Sequence, residues 1–124
     1  MSGNEALKGR RVLVVEDETM IAMLVEDMLG DLGCAVVGPA HGLDAALALT
    51  EGCAGIDAAV LDVNLAGQPV FPLADALRAK GVPLIFSTGY GESGLRDVDA
   101  GAPVLQKPFR TADLARALEE ALGG

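Results

Sequence analysis

The chain has 124 residues, of which 51% are hydrophobic, 22% are charged and only 3% are aromatic. These values predict one compact domain with a core of aliphatic side chains, and they argue against disorder. The formal net charge of −9 argues against binding to nucleic acid or to an anionic membrane, because both depend on Lys and Arg side chains that neutralise phosphates.

The cysteines and the N-terminal residues bear on the compartment. Cys34 and Cys53 lack the spacing of a metal site or of a disulfide framework, so a reducing cytosol is the simplest compartment, although a disulfide between them stays open. Residues 1–10 have no apolar segment and no cleavage pattern of a signal peptide. No apolar run reaches the roughly 18 residues of a membrane span. We therefore expect a cytoplasmic protein with a flexible lead-in over residues 1–10.

The first half of the chain alternates strand patterns with helix patterns. Strands are predicted from short apolar runs over residues 11–17 and 34–38. Helices are predicted from apolar residues spaced three and four positions apart over residues 18–32, and from an Ala-rich run over residues 43–49. The first strand ends in the acidic pair Glu16–Asp17, so its carboxyl end is polar although its body is not.

The third predicted strand, residues 57–61, runs directly into Asp62. An apolar run of this kind is typical of a strand buried on both faces of a parallel sheet. Burying a charge costs several kcal/mol unless water, a cation or a donor lies beside it. Ligands of open α/β sheets bind at the carboxyl ends of the strands. Asp62 is therefore the candidate reactive group, and the alternative is an Asp that caps a turn.

The second half of the chain completes an alternating pattern. It predicts a helix over residues 71–80, a strand over 83–87, a short or unsteady helix within 92–101, a strand over 103–106 and a last helix from Thr111. Five strands alternating with five helices predict a doubly wound parallel sheet, for which the flavodoxin-like order 2-1-3-4-5 is the natural choice. That order brings the residues after four of the strands to one edge: Glu16, Asp17, Asp62, Thr88 and Lys107.

Four motifs, each at the end of a predicted strand, resemble the receiver domain of bacterial two-component response regulators. They are Glu16–Asp17, Asp62, Thr88 and Lys107–Phe109. Each is weak alone, but the set is specific. The resemblance implies a receiver domain over residues 11–122 that takes a phosphoryl group from a histidine kinase onto Asp62, with Mg²⁺ or Mn²⁺ as cofactor. Such a domain is a regulator and not an enzyme, beyond catalysing its own phosphorylation and dephosphorylation.

The resemblance also implies a metal site. Asp17 and Asp62 would supply carboxylate oxygens, Asn64 would supply its backbone carbonyl oxygen, and Glu16 would hold a metal-bound water. Oxygen ligands of this kind suit Mg²⁺, which is a hard cation. From the residues alone, Asp17 could cap the first helix, a role that is compatible with metal binding.

Two further residues would act on the phosphoryl group by resemblance. Lys107 would offer its ammonium to Asp62 and then to a phosphoryl oxygen, and opposite charges about 4 Å apart near a surface attract by about 4 kcal/mol. Thr88 would donate its hydroxyl, and the Lys107–Pro108 bond would be cis. The alternatives are a solvated side chain for Lys107 and a turn residue for Thr88.

The sequence departs from the usual receiver pattern near the fifth strand. Val104 stands where receivers commonly carry an aromatic switch residue, so the familiar switch cannot operate as usual. Residues 86–91 instead resemble a subgroup of single-domain receivers with a Phe-x-Thr-Gly-Tyr (FATGUY-type) signature. Members of that subgroup often pair with HWE-type histidine kinases, and in them Tyr90 would take over part of the task of the missing ring.

By resemblance, a histidine kinase docks on the exposed face of the first helix. We expect that face to comprise Glu18, Thr19, Ala22, Met23 and Glu26, and the alternative is an ordinary solvated face. We expect no room for a DNA-binding output domain. The output would then be contact with an effector protein, relay to a histidine phosphotransfer protein, or removal of phosphate from a kinase.

Two other functions stay open. A receiver-like module could bind a partner without phosphorylation, although the intact site residues argue against it. A Mg²⁺-dependent phosphohydrolase with Asp62 as nucleophile is weaker, because such enzymes typically need a second Asp two positions later as general acid, where this chain has Asn64. His41 is solitary in a turn after the second strand, so we expect a surface residue there and not a ligand or a relay site.

Overall fold

The computed structural model describes residues 5–65, 67–89 and 101–123. Its strands are β1 (Arg11–Val15), β2 (Ala35–Ala40), β3 (Ala58–Asp62), β4 (Asn64–Leu65), β5 (Gln68–Pro69), β6 (Leu84–Thr88) and β7 (Val104–Gln106). Its helices are α1 (Thr19–Asp31), α2 (Leu43–Gly52), α3 (Phe71–Ala79) and α4 (Thr111–Gly123), with a 3₁₀ turn at Glu5–Leu7. Strands β2-β1-β3-β6-β7 form one parallel sheet in that order, which confirms the predicted flavodoxin-like topology.

The sheet is covered by helices on both faces. Alternate residues of a strand point to opposite sides. On one face, Leu13, Leu61 and Phe86 pack in a cluster with residues of α2 and α3. On the other face, Val12 and Ile85 pack in a second cluster with residues of α1 and α4. This double cover explains why the central strands read as continuous apolar runs.

The prediction of a flexible lead-in over residues 1–10 is wrong for residues 5–10. Leu7 is fully buried in the cluster between α1 and α4, and the Gly9 amide donates a hydrogen bond to the Gly33 carbonyl at 2.8 Å. One Leu in a polar stretch gives no periodic signal, so the pattern did not reveal this contact. Residues 1–4 lie outside the described residues, and the domain range 11–122 stays a prediction.

Strand β2 runs further than predicted, to Ala40 instead of ending before Pro39. Its pairing with β1 shifts between Leu13 and Val15, so that Val15 pairs with Ala40 across a bulge. Gly38 has φ +95°, and a Cβ there would lie 2.9 Å from the Ala40 nitrogen, so the bulge requires glycine. Pro39 is tolerated because β2 is an edge strand, where a missing N–H leaves no ladder bond unmade.

Helix α1 buries only part of the predicted face. Val25 and Leu29 are buried, as the apolar spacing predicts. Met20 and Leu24 belong to the same spacing but are 79% and 56% exposed, whereas Ala22, expected on the exposed face, is fully buried. Apolar residues occupy so much of the circumference of α1 that the sheet covers only part of them, and spacing alone did not reveal which part.

Two other expectations concern the loops. The predicted loop after Asp62 contains the small antiparallel hairpin of β4 and β5. The predicted helix within residues 92–101 lies outside the described residues apart from residue 101, and four α-helices are found in the described part of the chain. None of the helices in the described ranges is long and apolar enough to span a membrane.

Candidate functional site

The strand register brings the predicted site residues to one edge of the sheet. Val15 pairs with Leu61, so the residues that follow them, Glu16 and Asp62, lie side by side. Asp62 pairs in turn with Ser87 on β6. The order of the strands and their common direction therefore suffice to collect polar side chains from distant parts of the sequence.

Lys107 joins two of the carboxylates. Its Nζ atom lies 2.8 Å from Glu16 Oε1 and 3.1 Å from Asp62 Oδ2. The Lys107 amide also donates a hydrogen bond of 2.9 Å to the Thr88 carbonyl, which continues the pairing of β6 with β7 beyond the strand. The side chain is only 17% exposed, so the alternative of a solvated lysine is wrong. The peptide bond between Lys107 and Pro108 is cis, as the resemblance implies.

Three carboxylates form one cluster at this edge. Ligand oxygens of Glu16, Asp17 and Asp62 all lie within 4.8 Å of one another. Glu16 and Asp62 are buried, at 3% and 7% exposure, and Asp17 is half-buried. Such a set of hard oxygen donors fits a divalent cation such as Mg²⁺.

Burial is the main cause of the pKa shifts of the two buried carboxyl groups in the site. Burial raises the pKa of Glu16 from its ordinary value of 4.5 to about 7, although the hydrogen bond from Lys107 opposes the shift. Burial also raises the pKa of Asp62, against the opposing effect of the Lys107 charge. Burial lowers the pKa of Lys107, but the two neighbouring carboxylates outweigh it and the net shift is upward. Lys107 therefore stays an ammonium.

The backbone after β3 helps to hold the Asp62 carboxylate in place. The Asn64 amide donates to Asp62 Oδ1 at 3.2 Å, so both oxygens of Asp62 have a donor. The Asn64 side chain accepts the Gly67 amide at 2.8 Å and closes the hairpin turn. Helix α1 has Glu18 at its N-cap position, so the alternative role of Asp17 as helix cap is wrong.

Comparison with known proteins identifies the family. The family model for the response regulator receiver domain matches residues 12–119. The chain belongs to this family. Receiver domains of two-component signalling are in general regulators and not enzymes, and they interact with histidine kinases and other proteins.

Several individual proteins are similar to this receiver domain. The solution structure of SdrG from Sphingomonas melonis Fr1 has 43% identity and a TM-score of 0.83, and the match covers 94% of this chain and 98% of SdrG. SdrG also has a solution structure of its BeF₃-activated conformation, with a TM-score of 0.78 over 90% of this chain and 95% of that chain.

Two further relatives are a receiver domain with a bound magnesium ion and a protein that is longer than this chain. The receiver domain of the sensor histidine kinase PA1611 from Pseudomonas aeruginosa PAO1, with a magnesium ion coordinated in its active site cleft, is 29% identical over 94% of this chain and 99% of that one, with a TM-score of 0.80. The transcriptional regulatory protein PdtaR of Mycobacterium tuberculosis is 34% identical over 95% of this chain, which spans only 59% of the length of PdtaR.

The residues predicted to complete the site are placed as follows. Thr88 is buried at the end of β6, one position beyond the partner of Asp62. Val104 pairs with Phe86 and packs against the core. Tyr90 lies outside the described residues.

Pattern reasoning missed one contact and one surface of the receiver domain. His41 is exposed, but its Nδ1 atom lies 3.0 Å from the Glu16 carbonyl oxygen. An apolar cavity of about 350 Å³ also opens between α1 and the segment after β7. Its walls are Glu18, Ile21, Leu24, Val25, Met28, Lys107, Pro108 and Phe109. The contact of His41 depends on how β2 pairs with β1, and the cavity depends on the orientation of α1, so the sequence pattern alone reveals neither.

Proposed function

We propose that this receiver domain accepts a phosphoryl group from the phosphohistidine of a histidine kinase onto Asp62, in a reaction that requires Mg²⁺ or Mn²⁺. The observation that supports the proposal most strongly is the position of Lys107, whose ammonium bridges Asp62 and Glu16 at 3.1 and 2.8 Å. A carboxylate and an anionic phosphoryl group repel each other, and a cation fixed at the acceptor oxygen removes much of that repulsion.

The proposed step exchanges one bond of phosphorus for another. A carboxylate oxygen of Asp62 attacks the phosphorus in line with the histidine nitrogen, the P–N bond breaks as the P–O bond forms, and the imidazole leaves with the bonding electron pair. Lys107 turns from Asp62 to an oxygen of the transferred group, and Thr88 donates its hydroxyl to another. The chemistry that a bound Mg²⁺ supplies is neutralisation of charge on the transferred group and on the acceptor.

We assign the metal ligands as the resemblance implies. Asp17 and Asp62 would bind the ion directly, Asn64 would bind it through its carbonyl oxygen, and Glu16 would hold a metal-bound water. The cluster of carboxylates within 4.8 Å of one another supports this assignment. The magnesium ion in the PA1611 receiver domain, which has 29% identity, is consistent with it.

The kinase partner is proposed from the surface of α1. Met20, Met23 and Leu24 leave large apolar side chains exposed on this helix, next to the site. Beside them, the apolar cavity of about 350 Å³ is walled in part by Lys107, so its contents would touch the phosphoacceptor site. An apolar surface of this kind is typical of a protein interface. We propose that the kinase docks here, on a face centred on Met23 and Leu24 and not on the buried Ala22.

The subgroup and the output stay proposals. The similarity to SdrG is compatible with a single-domain receiver of the Phe-x-Thr-Gly-Tyr signature, with an HWE-type kinase as partner and Tyr90 in the switch. For such a single-domain receiver we propose that the output is contact with an effector protein or relay to a histidine phosphotransfer protein. The chain spans less than two thirds of PdtaR, so the activity of the whole PdtaR protein is no guide to its output. The cytoplasmic location also stays a prediction.

Incubation with a small phosphodonor tests the proposal. Intact-mass measurement of the protein with acetyl phosphate and Mg²⁺ is expected to show one phosphoryl adduct, which is absent with EDTA and absent in Asp62→Asn. Multiple turnovers of the donor without a retained adduct would favour the phosphohydrolase. No adduct and no turnover would favour a binding module that works without phosphorylation, and either result would contradict the proposal.

A further inference from the structure

The backbone of Glu16 is held on both sides by residues at the end of β2. The Glu16 amide donates to the Ala40 carbonyl at 3.0 Å, and the Glu16 carbonyl lies 3.0 Å from Nδ1 of His41. A carbonyl oxygen can only accept a hydrogen bond, so Nδ1 of His41 carries the hydrogen and donates it. The backbone amide and the backbone carbonyl of Glu16 are therefore both held by residues at the end of β2.

The bulge in β2 produces this arrangement. Gly38 occupies the left-handed region at φ +95°, and the pairing shift sets Ala40 opposite Val15. The chain then passes Glu16 at the carboxyl edge of the sheet, which brings the His41 ring over the first peptide unit beyond β1. Without the shift, the residue after β2 would meet β1 at a different position along the edge.

The peptide unit held by His41 links Glu16 to Asp17, and both carboxylates of the acidic pair project from it. We propose that His41 is a positioning residue: its hydrogen bond to the Glu16 carbonyl fixes this peptide plane, and thereby the directions in which Glu16 and Asp17 present their oxygens to a divalent cation. The inference rests on the proposed metal site. It gives a task to a side chain that touches neither the cation nor the phosphoryl group.

If His41 were mainly a packing residue, its removal would lower the stability of the whole domain, and the structure argues against such a role. The His41 side chain is exposed and belongs to neither core cluster, so its removal deletes little buried surface. The bond between the Glu16 amide and Ala40 also remains when the ring is removed. Truncation is therefore expected to lower the melting temperature by no more than the loss of one hydrogen bond, and to loosen the acidic pair.

Calorimetric titration of the metal-free protein with Mg²⁺ tests the proposal, together with hydrogen exchange of the Glu16 and Asp17 amides. His41→Ala is expected to weaken Mg²⁺ binding roughly two- to tenfold, the loss that corresponds to one net hydrogen bond. It is also expected to speed amide exchange at the acidic pair in the absence of metal. His41→Asn places an amide donor near the position of Nδ1 and is expected to restore both quantities.

The outcomes separate this inference from the proposed function. Equal Mg²⁺ affinity and equal exchange in wild type and His41→Ala would overturn the role of His41 while leaving the metal site intact. A wild-type protein that binds no Mg²⁺ would overturn the metal site, and the exchange data would then decide the positioning role alone. Weaker binding in His41→Ala that His41→Asn does not restore would also contradict the proposed hydrogen bond.

Discussion

The residues at the carboxyl edge form a site in which two carboxylates share one ammonium. Glu16 is long enough to reach Lys107 at 2.8 Å while Asp62 holds the same nitrogen at 3.1 Å. A shorter Asp in place of Glu16 would have its carboxylate one methylene further from that nitrogen. The ammonium is thus divided before any phosphoryl group arrives. Burial is the main cause of the raised pKa of Glu16 and of Asp62, and the negative charge of Asp62 adds to the shift of Glu16.

The raised pKa of Glu16 predicts how stability depends on pH in the absence of metal. Glu16 has a pKa of about 7 in the folded protein and an ordinary value of 4.5 when unfolded. The folded state therefore binds the proton more tightly, and the stabilisation is complete below the unfolded pKa and lost as pH rises through about 7. Asp62, whose pKa is also raised, contributes in the same direction.

The measurement is urea unfolding with EDTA at several pH values between about 5 and 8. The free energy of unfolding of wild type, relative to that of Glu16→Gln, is expected to fall by an amount on the order of 1 to 3 kcal/mol as pH rises. Saturating Mg²⁺ is expected to remove most of this loss, because the cation replaces the proton. A difference that stays constant with pH would contradict the assigned shift.

In α1 and in the 3₁₀ turn at residues 5–7, packing against neighbouring elements determines which apolar side chains are buried, and the spacing of these residues in the sequence does not. The apolar residues of α1 were predictable as helical, but the small Ala22 faces the sheet and Met20 faces solvent. Leu7 lies in a stretch without periodicity and yet fills the space between α1 and α4. In both places the neighbouring element, which the local sequence does not specify, selects the buried side chain.

Burial of Leu7 predicts a large effect on stability outside the receiver site. Leu7→Ala is expected to lower the free energy of unfolding by about 2 to 4 kcal/mol, through lost transfer energy and a residual cavity. The matched control is Leu24→Ala, which removes the same atoms from a 56% exposed position and should change stability by less than about 0.5 kcal/mol. Equal effects of the two variants in urea unfolding would show that residues 5–10 do not pack as described.

The exposed face of α1 predicts a defect specific to the protein donor. Met23→Glu is expected to slow phosphoryl transfer from a partner phosphohistidine protein tenfold or more, because a charge replaces an apolar contact. The reaction with acetyl phosphate should be unchanged, since it needs no docking. The control is Ala45→Glu, at an exposed position of α2 on the other face of the sheet. A similar loss in both variants, or with both donors, would contradict the proposed docking face.

At the scale of the whole molecule, the fold was predictable because buried parallel strands and their connections obey few topological rules. The alternation of five strands with helices made the flavodoxin-like order the natural choice, and with that order the residues at the strand ends predicted the proximity of Asp62 to Lys107. The end of β2 was not predictable, because Pro39 normally stops a strand and here lies in an edge bulge. The contact of His41 depends on that bulge and was missed with it.

Convergence of these distant side chains can be measured by fluorine NMR of the protein with BeF₃⁻, the ligand named for the activated form of SdrG. The structure predicts protein-bound fluorine resonances in wild type only when Mg²⁺ is present, and their loss in Asp17→Asn and in Asp62→Asn. The control Asp44→Asn, at an exposed position of α2, should keep them. Bound resonances that persist without Mg²⁺, or that survive in Asp62→Asn, would contradict a cation-dependent phosphoacceptor site at this edge of the sheet.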